Sequence, residues 1–305
     1  MRRLPAETFS MIDLHIHTTA SSDGAHSPAE VFEMSRSLGL KAVAFADHNS
    51  IGSVAKGMEL ARLQRISFIS GIEINTLHHD HDLHLLAYGF DPTKGEFAAW
   101  LDGIGKSKWD QARGRTEKLK KLGLALEWEE LITHSGGLAP SGMNFIQVML
   151  SRPENDGNPL LDPYRPGGSR ADSPYLNFYL DYLRGGKPAF VPQEGVSTTE
   201  VIGRIISLGA VPVLAHPSDT PDDYIPDLLK AGLRGLEVYS SYHDKKLTSK
   251  WHAVAKSNNM LITAGSDFHG LRVKPDVRLA DISGNSRELF DRLVESIPQK
   301  GGVIL

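Results

Sequence analysis

The sequence predicts an α/β fold: a closed or nearly closed barrel of parallel βα units, interrupted by a mostly helical insertion. Two observations carry that expectation. Short apolar runs alternate with amphipathic helical patterns at βαβ spacing in the first 94 residues, and again after residue 186. Histidines and acids stand at the ends of those apolar runs, on the face where a parallel barrel gathers its chemistry.

A first strand over 11–15 runs into Asp13-Leu14-His15-Ile16-His17. After a polar loop with Asp23-Gly24 comes Ser27-Pro28-Ala29-Glu30, a capping-box pattern with proline at the first helical position. Val31, Phe32, Met34 and Leu38 supply the apolar stripe of that helix and Gly39 its stop. Residues 41–46 read as a buried strand ending at Asp47-His48, 50–65 as a helix, 66–72 as a strand ending at Glu73, and 83–88 as a fourth strand carrying His84. The rhythm then breaks. Helical patterns occupy 97–122, 128–133, 144–150 and 175–183, and the Pro/Gly/Asp/Asn-rich stretch 152–174 reads as a long loop. Residues 1–94 and 187–305 are therefore expected to form the barrel, and 95–186 a helical insertion or lid. Alternation resumes at Ser197-Thr198-Thr199-Glu200, a second capping-box pattern opening a helix that ends at Gly209. Strand 211–215, a helix to 231, strand 235–239, helix 244–257, strand 260–264 and a last helix at 286–296 complete the chain.

Composition narrows the chemistry. Hydrophobic residues are 40% and charged residues 23% of the 305, and the net charge is -4 with a pI near 6.4. Such a balance describes an ordinary soluble globular protein without an extended nucleic-acid surface. There is no cysteine, which excludes disulfides, thiolate ligands and cysteine nucleophiles. Any metal must sit among nitrogen and oxygen ligands, a set that suits Mn, Zn or Fe. Arg2 and Arg3 are followed by no apolar signal segment, and no apolar run reaches membrane-spanning length, so a cytoplasmic protein without membrane contact is expected.

His15 and His17, at i and i+2 on a strand, share one face about 6–7 Å apart and can share a metal ion. A His-x-His pair alone is most often just a polar strand end. Its company decides the matter: Asp47-His48, Glu73, His84, Ala215-His216-Pro217 and Ser266-Asp267-Phe268-His269 each close a short apolar run. Thirteen histidines scattered at random would not place six at such ends beside three acids, so most of the set is expected to bind metal.

With Asp13-Leu14-His15-Ile16-His17, Asp47-His48-Asn49, Ala215-His216-Pro217 and Ser266-Asp267-Phe268-His269 in this order, the chain resembles the polymerase and histidinol phosphatase (PHP) superfamily. The resemblance covers residues 12–88 and 190–268 and beyond. It implies a distorted seven-stranded βα barrel. Within the family the chain is most similar to small stand-alone phosphoesterases, some acting on nucleotides, whose barrel is also interrupted by a helical segment before a Gly-Lys-Pro such as Gly186-Lys187-Pro188. Carried over position by position, the family's three-metal arrangement implies one ion on His15, His17, Glu73 and Asp267. Glu73 would bridge to a second ion on His84 and His216, and a third would take Asp23, His48 and His269, although some members have histidine where Asp23 stands. The implied cofactor is two or three divalent ions (Mn, Zn or Fe). Against about -3 from three carboxylates, three such ions leave a centre near +3 that attracts a phosphate dianion. The implied reaction is hydrolysis of a small phosphomonoester, a nucleotide or nucleoside bisphosphate ahead of histidinol phosphate. The attacking group would be a hydroxide bridging the first two ions, with Glu73 and Asp267 the catalytic carboxylates that hold that pair.

Other candidates are weaker. His243, in Tyr239-Ser240-Ser241-Tyr242-His243, follows a strand end and reads equally as a general acid, a substrate contact or an ordinary polar residue opening a helix. Tyr239 shares its position as a substrate contact. Arg113 and Arg115 begin a basic run that reads first as a solvated helix face and second as a lid contact to phosphate. Lys187 is a turn lysine that can reach phosphate from the returning strand. His78, His79 and His81, with Asp80 and Asp82, read as a hairpin connection, with opportunistic metal binding as a secondary reading. Two other functions compete. Amidohydrolase barrels also present His-x-His and a late aspartate, and a metal-bound domain without turnover could serve a partner protein.

Overall fold

The structure, a computed structural model, describes residues 11–79, 81–193 and 196–305; Asp80 and the segment with Arg2 and Arg3 lie outside the described residues. The chain begins β1 (Ile12–Ile16), α1 (Pro28–Leu38), β2 (Ala42–Phe45), α2 (Val54–Gln64), β3 (Ser67–His78) and β4 (His81–Tyr88). Four helices follow: α3 (Gly95–Lys121), α4 (Trp128–His134), α5 (Gly142–Ser151) and α6 (Pro174–Phe178). The remainder is α7 (Thr198–Ser207), β5 (Val211–Leu214), α8 (Ile225–Ala231), β6 (Gly235–Ser240), α9 (Lys245–Ser257), β7 (Leu261–Gly265), α10 (Arg287–Ser296) and a short β8 (Val303–Ile304) on the edge of β3. The strands pair in chain order from β1 to β7. A bridge between Ile16 and Phe268, with the His17 N–H donating to the Phe268 carbonyl at 2.9 Å, brings the two ends together. The result is a nearly closed seven-stranded barrel, the fold class that the alternation of elements predicts.

Local chemistry explains where the elements start. Ser27 accepts from the Glu30 N–H at 3.3 Å and its own N–H donates to the Glu30 carboxylate at 2.7 Å, so the capping box of α1 forms as its sequence predicts. Gly39 closes that helix in the left-handed region, φ 74°. The second capping box does not form. The Ser197 hydroxyl instead pairs with the Thr199 hydroxyl at 3.1 Å and leaves the helix amides uncapped by side chains. Residues 175–183, expected as one helix, divide into α6 and a π-helical turn over Tyr179–Leu183. The 152–174 stretch contains two 3₁₀ turns, Pro153–Asn155 and Asp162–Tyr164.

One expectation is corrected outright. β4 is antiparallel to both β3 and β5, with Asn75 opposite His84 and Leu86 opposite Val213. Only residues 79 and 80 separate β3 from β4, and a parallel return needs a crossover of a dozen residues or more. His84 therefore lies early in its strand, yet an antiparallel strand begins at the face where its parallel neighbours end.

Strand periodicity sorts the barrel into an apolar floor and a polar mouth. On β3, Phe68, Ile72 and Ile74 join an outer cluster with Phe32 of α1, Val54 of α2, Ile205 of α7 and Trp251 of α9. Ile69 faces inward with Ile12, Ala42, Ala44, Leu86, Tyr88 and Val213, and α10 plugs this floor with Phe290, Leu293 and Val294. Climbing the same inward row of β3 leads from Ile69 through Gly71 to Glu73 and Asn75. Residues of the 95–186 segment, among them Leu119, Phe145, Met149, Phe178 and Leu183, pack into a third cluster of their own.

Gly265 shows how tight the inner layer is, because a Cβ there would collide with the Cβ of His15 and with Oε1 of Glu237. Gly265→Ala is expected to destabilise by about 1–3 kcal/mol, the usual cost of overpacking. Gly203→Ala, on α7 with open space around it, is expected to be neutral or slightly stabilising. Thermal denaturation of the two variants checks the difference, and equal melting would contradict it.

Candidate metal centre

Glu73 is fully buried on β3, and its two oxygens face different imidazoles. Oε1 lies 2.8 Å from Nδ1 of His84 and 3.0 Å from Nε2 of His216. Oε2 lies 3.2 Å from Nε2 of His15, 3.2 Å from Nε2 of His17 and 3.0 Å from Nδ1 of His48. Asp267 divides its oxygens in the same way. Oδ1 lies 3.4 Å from His15 and 3.0 Å from His17, while Oδ2 accepts from the Tyr242 hydroxyl at 2.7 Å and the Lys274 ammonium at 2.5 Å. Asp23 approaches His48 at 3.8 Å, and the His269 ring stacks on His17 with centroids 3.8 Å apart.

All the ligand candidates named from the sequence thus meet at the mouth of the barrel. Possible ligand atoms within 4.8 Å of one another form three groups here: His15, His17, Glu73 and Asp267; His17, Asp23, His48 and His269; and His48, Glu73 and His84. The first is the expected set, and the second is the expected set with His17 added. In the third, His48 stands nearer than His216, which reaches the group through Oε1 of Glu73.

The donor set fits divalent cations. Glu73 Oε2, Asp267 Oδ1, Asp23 Oδ1 and His48 Nδ1 are buried without hydrogen-bond partners. His15 holds its Nδ1 against Glu237 at 3.0 and 3.2 Å, which fixes the tautomer that leaves Nε2 bare, and that Nε2 lies 3.2 Å from Nε2 of His17. Buried lone pairs facing one another are costly unless a cation lies among them. Burial opposes the charge of Glu73, yet His48, His15 and His84 hold its carboxyl well below the usual range; Lys274, His269 and His15 do the same for Asp267. Burial takes His48 down to about 3 and His269 well below its ordinary value, which favours the neutral, ligating form of each ring. His17, although burial opposes its charge, is pushed up to about 9 by the Asp267 and Glu73 carboxylates beside it.

Backbone strain gathers here as well. Asn49, His216 and Asp267 occupy the left-handed region at φ 51°, 24° and 56°, at about 1–3 kcal/mol each. Other residues support the site: Asp13 and Asp47 stand in motifs read from the sequence, whereas Glu237 was not singled out there. Glu237, buried on β6, orients His15 and also accepts from the His216 N–H at 2.9 Å. Asp13 accepts from the Ser266 N–H, the Ser266 hydroxyl and the Ala280 N–H, tying β1 to the segment after β7; burial pushes it up to about 6. Asp47 gathers Thr18, Ser21 and Ser53. A carboxylate inside an apolar strand, as in Gly235-Leu236-Glu237-Val238, is the one sequence signal that could have found Glu237.

The remaining candidates separate. Arg115 is buried, with its Nη2 3.4 Å from the Leu183 carbonyl and its Nε unpartnered. His243 donates Nδ1–H to the Val238 carbonyl at 2.8 Å, its Nε2 is buried without a partner, and burial lowers its pKa. Three candidates lie apart from the cluster. Arg113 is exposed and stacks on Trp128 at 4.5 Å, Lys187 is exposed in a turn, and Tyr239 packs on Gly284 and the outer apolar cluster. Alternation alone would put Tyr239 on the inward face with Glu237, but the register of β6 against β7 shifts between these two residues and Tyr239 packs outward; it is Tyr242 that reaches Asp267.

Residues 13–139 match the family model described as the PHP domain. The chain is 28% identical over 266 residues, 85% of its length and 87% of the relative's, to a 3',5'-nucleoside bisphosphate phosphatase of Chromobacterium violaceum. It is 26% identical over 267 residues, 84% of its length and 89% of the relative's, to a 5'-3' exoribonuclease of Haemophilus influenzae. A solved structure described as an amidohydrolase of Chromobacterium violaceum with bound sulfate and no metal matches with a TM-score of 0.75 and 26% identity, over 92% of this chain and 96% of that one. No described helix is long and apolar enough to cross a membrane. Matched segment, barrel and relatives agree on a PHP domain over residues 13–139, and the phosphatase and exoribonuclease relatives are hydrolases of phosphate esters.

Proposed function

We propose that the protein is a metal-dependent phosphoesterase that releases phosphate from a small phosphomonoester, with nucleotides or nucleoside bisphosphates the favoured class. The observation that carries the reading is the convergence of unpartnered Glu73 and Asp267 oxygens with bare imidazole nitrogens at the barrel mouth. Divalent cations bound there, of the Mn, Zn or Fe kind, would supply the charge that draws in a phosphate dianion and would acidify the attacking water. The phosphatase name of one relative supports the substrate class, and sulfate, held by another, has the shape and charge of a phosphate dianion.

Each residue has a part in this reading. Glu73 spans two groups of imidazoles with its two oxygens. Tyr242 and Lys274 pin Oδ2 of Asp267, which keeps Oδ1 aimed at His15 and His17. Glu237 fixes the tautomer of His15. His243, neutral with its proton on Nδ1, acts as an acceptor at Nε2 rather than as an acid. Helix α3 brings two cations toward the mouth. Lys108 donates to Asn75 at 2.9 Å, beside His84, and burial with Arg115 nearby takes it down to about 8. Residues 95–186 are thus proposed as the substrate-recognising insertion, with Lys108 and Arg115 as its phosphate contacts.

Protein loaded with Mn, Zn or Fe is expected to release phosphate from p-nitrophenyl phosphate and from a nucleotide panel, and Asp267→Asn or His15→Ala is expected to lose about 100-fold or more. Amide turnover, or phosphate release untouched by either substitution, would overturn the assignment. Glu237→Gln is expected to weaken metal about 10–100-fold in a titration of activity against metal, with turnover recovered at saturation. Lys108→Met is expected to raise KM about tenfold or more while leaving kcat within a few-fold, as for one charged hydrogen bond. Because Lys108 loses its proton above about 8, the wild-type KM should rise through that pH and the Lys108→Arg KM should stay flat.

A further inference from the structure

We propose that the tip of the β3–β4 hairpin holds a second kind of metal site, a single zinc-like ion on His78, His79 and Asp227, separate from the Glu73 centre. The three residues each offer a ligand atom, and these atoms lie within 4.8 Å of one another. Asp227 comes from α8, so the group joins two distant parts of the chain.

Backbone geometry makes the pair of imidazoles possible. Consecutive strand residues point to opposite faces, so His78 and His79 would normally diverge. His79 instead adopts φ 54°, the left-handed region, and the two ring centroids come to 4.5 Å. A non-glycine residue in that conformation is strained, and the strain is concentrated where a ligand would use it. The second, independent sign is His78 itself: it is only 6% exposed, and its Nε2 is buried with no hydrogen-bond partner. Burial, with the neighbouring His79, also keeps His78 below its ordinary pKa, so its lone pairs are free at neutral pH. Tyr224 walls the site, with its ring 4.7 Å from His78, 5.4 Å from His79 and 5.6 Å from His81.

Two nitrogens and one carboxylate oxygen suit zinc and its neighbours rather than magnesium or calcium, which take oxygen shells. Three protein ligands leave a fourth position for water. The ion would staple α8 to the hairpin whose strands carry Glu73 and His84.

The test is a difference in zinc content. Wild type and the His79→Gly/Asp227→Asn double variant are dialysed to equilibrium against zinc alone and their metal is measured by elemental analysis. Glycine retains the left-handed turn, and both positions are exposed. The double variant should hold about one zinc per chain fewer, show a smaller rise of Tm on adding zinc, and keep the phosphoesterase activity of wild type. Asp227→Asn alone should weaken that same zinc while leaving the metal-free melting curve unchanged. Equal zinc content and equal zinc-induced stabilisation in wild type and both variants would overturn the proposal. Zinc counting is independent of turnover, so a hairpin ion in a chain that hydrolyses no phosphate ester would leave this site standing and sink the phosphoesterase reading.

Discussion

The structure depends on one electrostatic constraint: Glu73 and Asp267 are buried at the barrel mouth with carboxyls held well below the usual range, and imidazole nitrogens are aimed at the same space. Left alone, buried charges of this kind cost several kcal/mol each. The surrounding structure is arranged to offset that cost from outside and to leave the inner side to a cation. Lys274 and Tyr242 neutralise the outer oxygen of Asp267, and Glu237 takes the outer nitrogen of His15. Asp13 and Asp47 accept backbone and hydroxyl donors from the loops that carry the ligands. The same constraint explains the layering of the barrel. A centre so polar needs a dry floor, which the alanines of β2 and the plug of α10 provide.

Much of the fold and of the site was legible because both follow from short-range rules. Ser27 to Glu30 marked the start of α1, Gly39 its end, and periodicity placed the barrel strands to within a residue or two, except that β3 runs on past its expected end to His78. The convergence of the ligand candidates was legible for a geometric reason: in a barrel, residues far apart in sequence but alike in position at strand ends must meet. Strand direction was legible only in part: periodicity is blind to it, and the hairpin read at His78, His79 and His81 already implied the backward-running β4 that the all-parallel barrel left out. Glu237, Lys274 and Tyr242 escaped because a single polar residue in or after a strand carries no pattern. Tyr239 misled because a register shift in β6 after Glu237, invisible in the sequence, turns it to the outer face.

The helical segment bears on both sides of the mouth. Asn144 of α5 donates to the Ser22 carbonyl at 3.1 Å, next to Asp23. On the other side, Tyr179 in the π turn donates to Asp82 at 2.8 Å, and Arg184 pairs with Asp219 beyond β5. Lys108 and the buried Arg115 project from α3 between these attachments. A segment with its own apolar cluster, fixed at two rims, can vary in the side chains it hangs over the site without disturbing the ligands below. Such an arrangement is how one metal-binding barrel can serve different phosphate esters.

The backward-running β4 has a structural consequence of its own. Because β3 continues five residues past Glu73 to His78, the hairpin stands above the rim of the barrel, beyond the last residue that can pair with β5. An overhanging two-stranded ribbon is marginally stable by itself in water. Here it is braced by the Leu77 N–H donating to Val196 at 2.8 Å, by the hydroxyl of Thr76 paired with that of Thr198, and by Tyr224 against its histidines. The brace matters because Asn75 and His84 sit opposite each other at the ribbon's base. Through Asn75, which accepts from Lys108 and meets Nε2 of His84 at 2.8 Å, the base of the ribbon also ties α3 to the candidate metal centre.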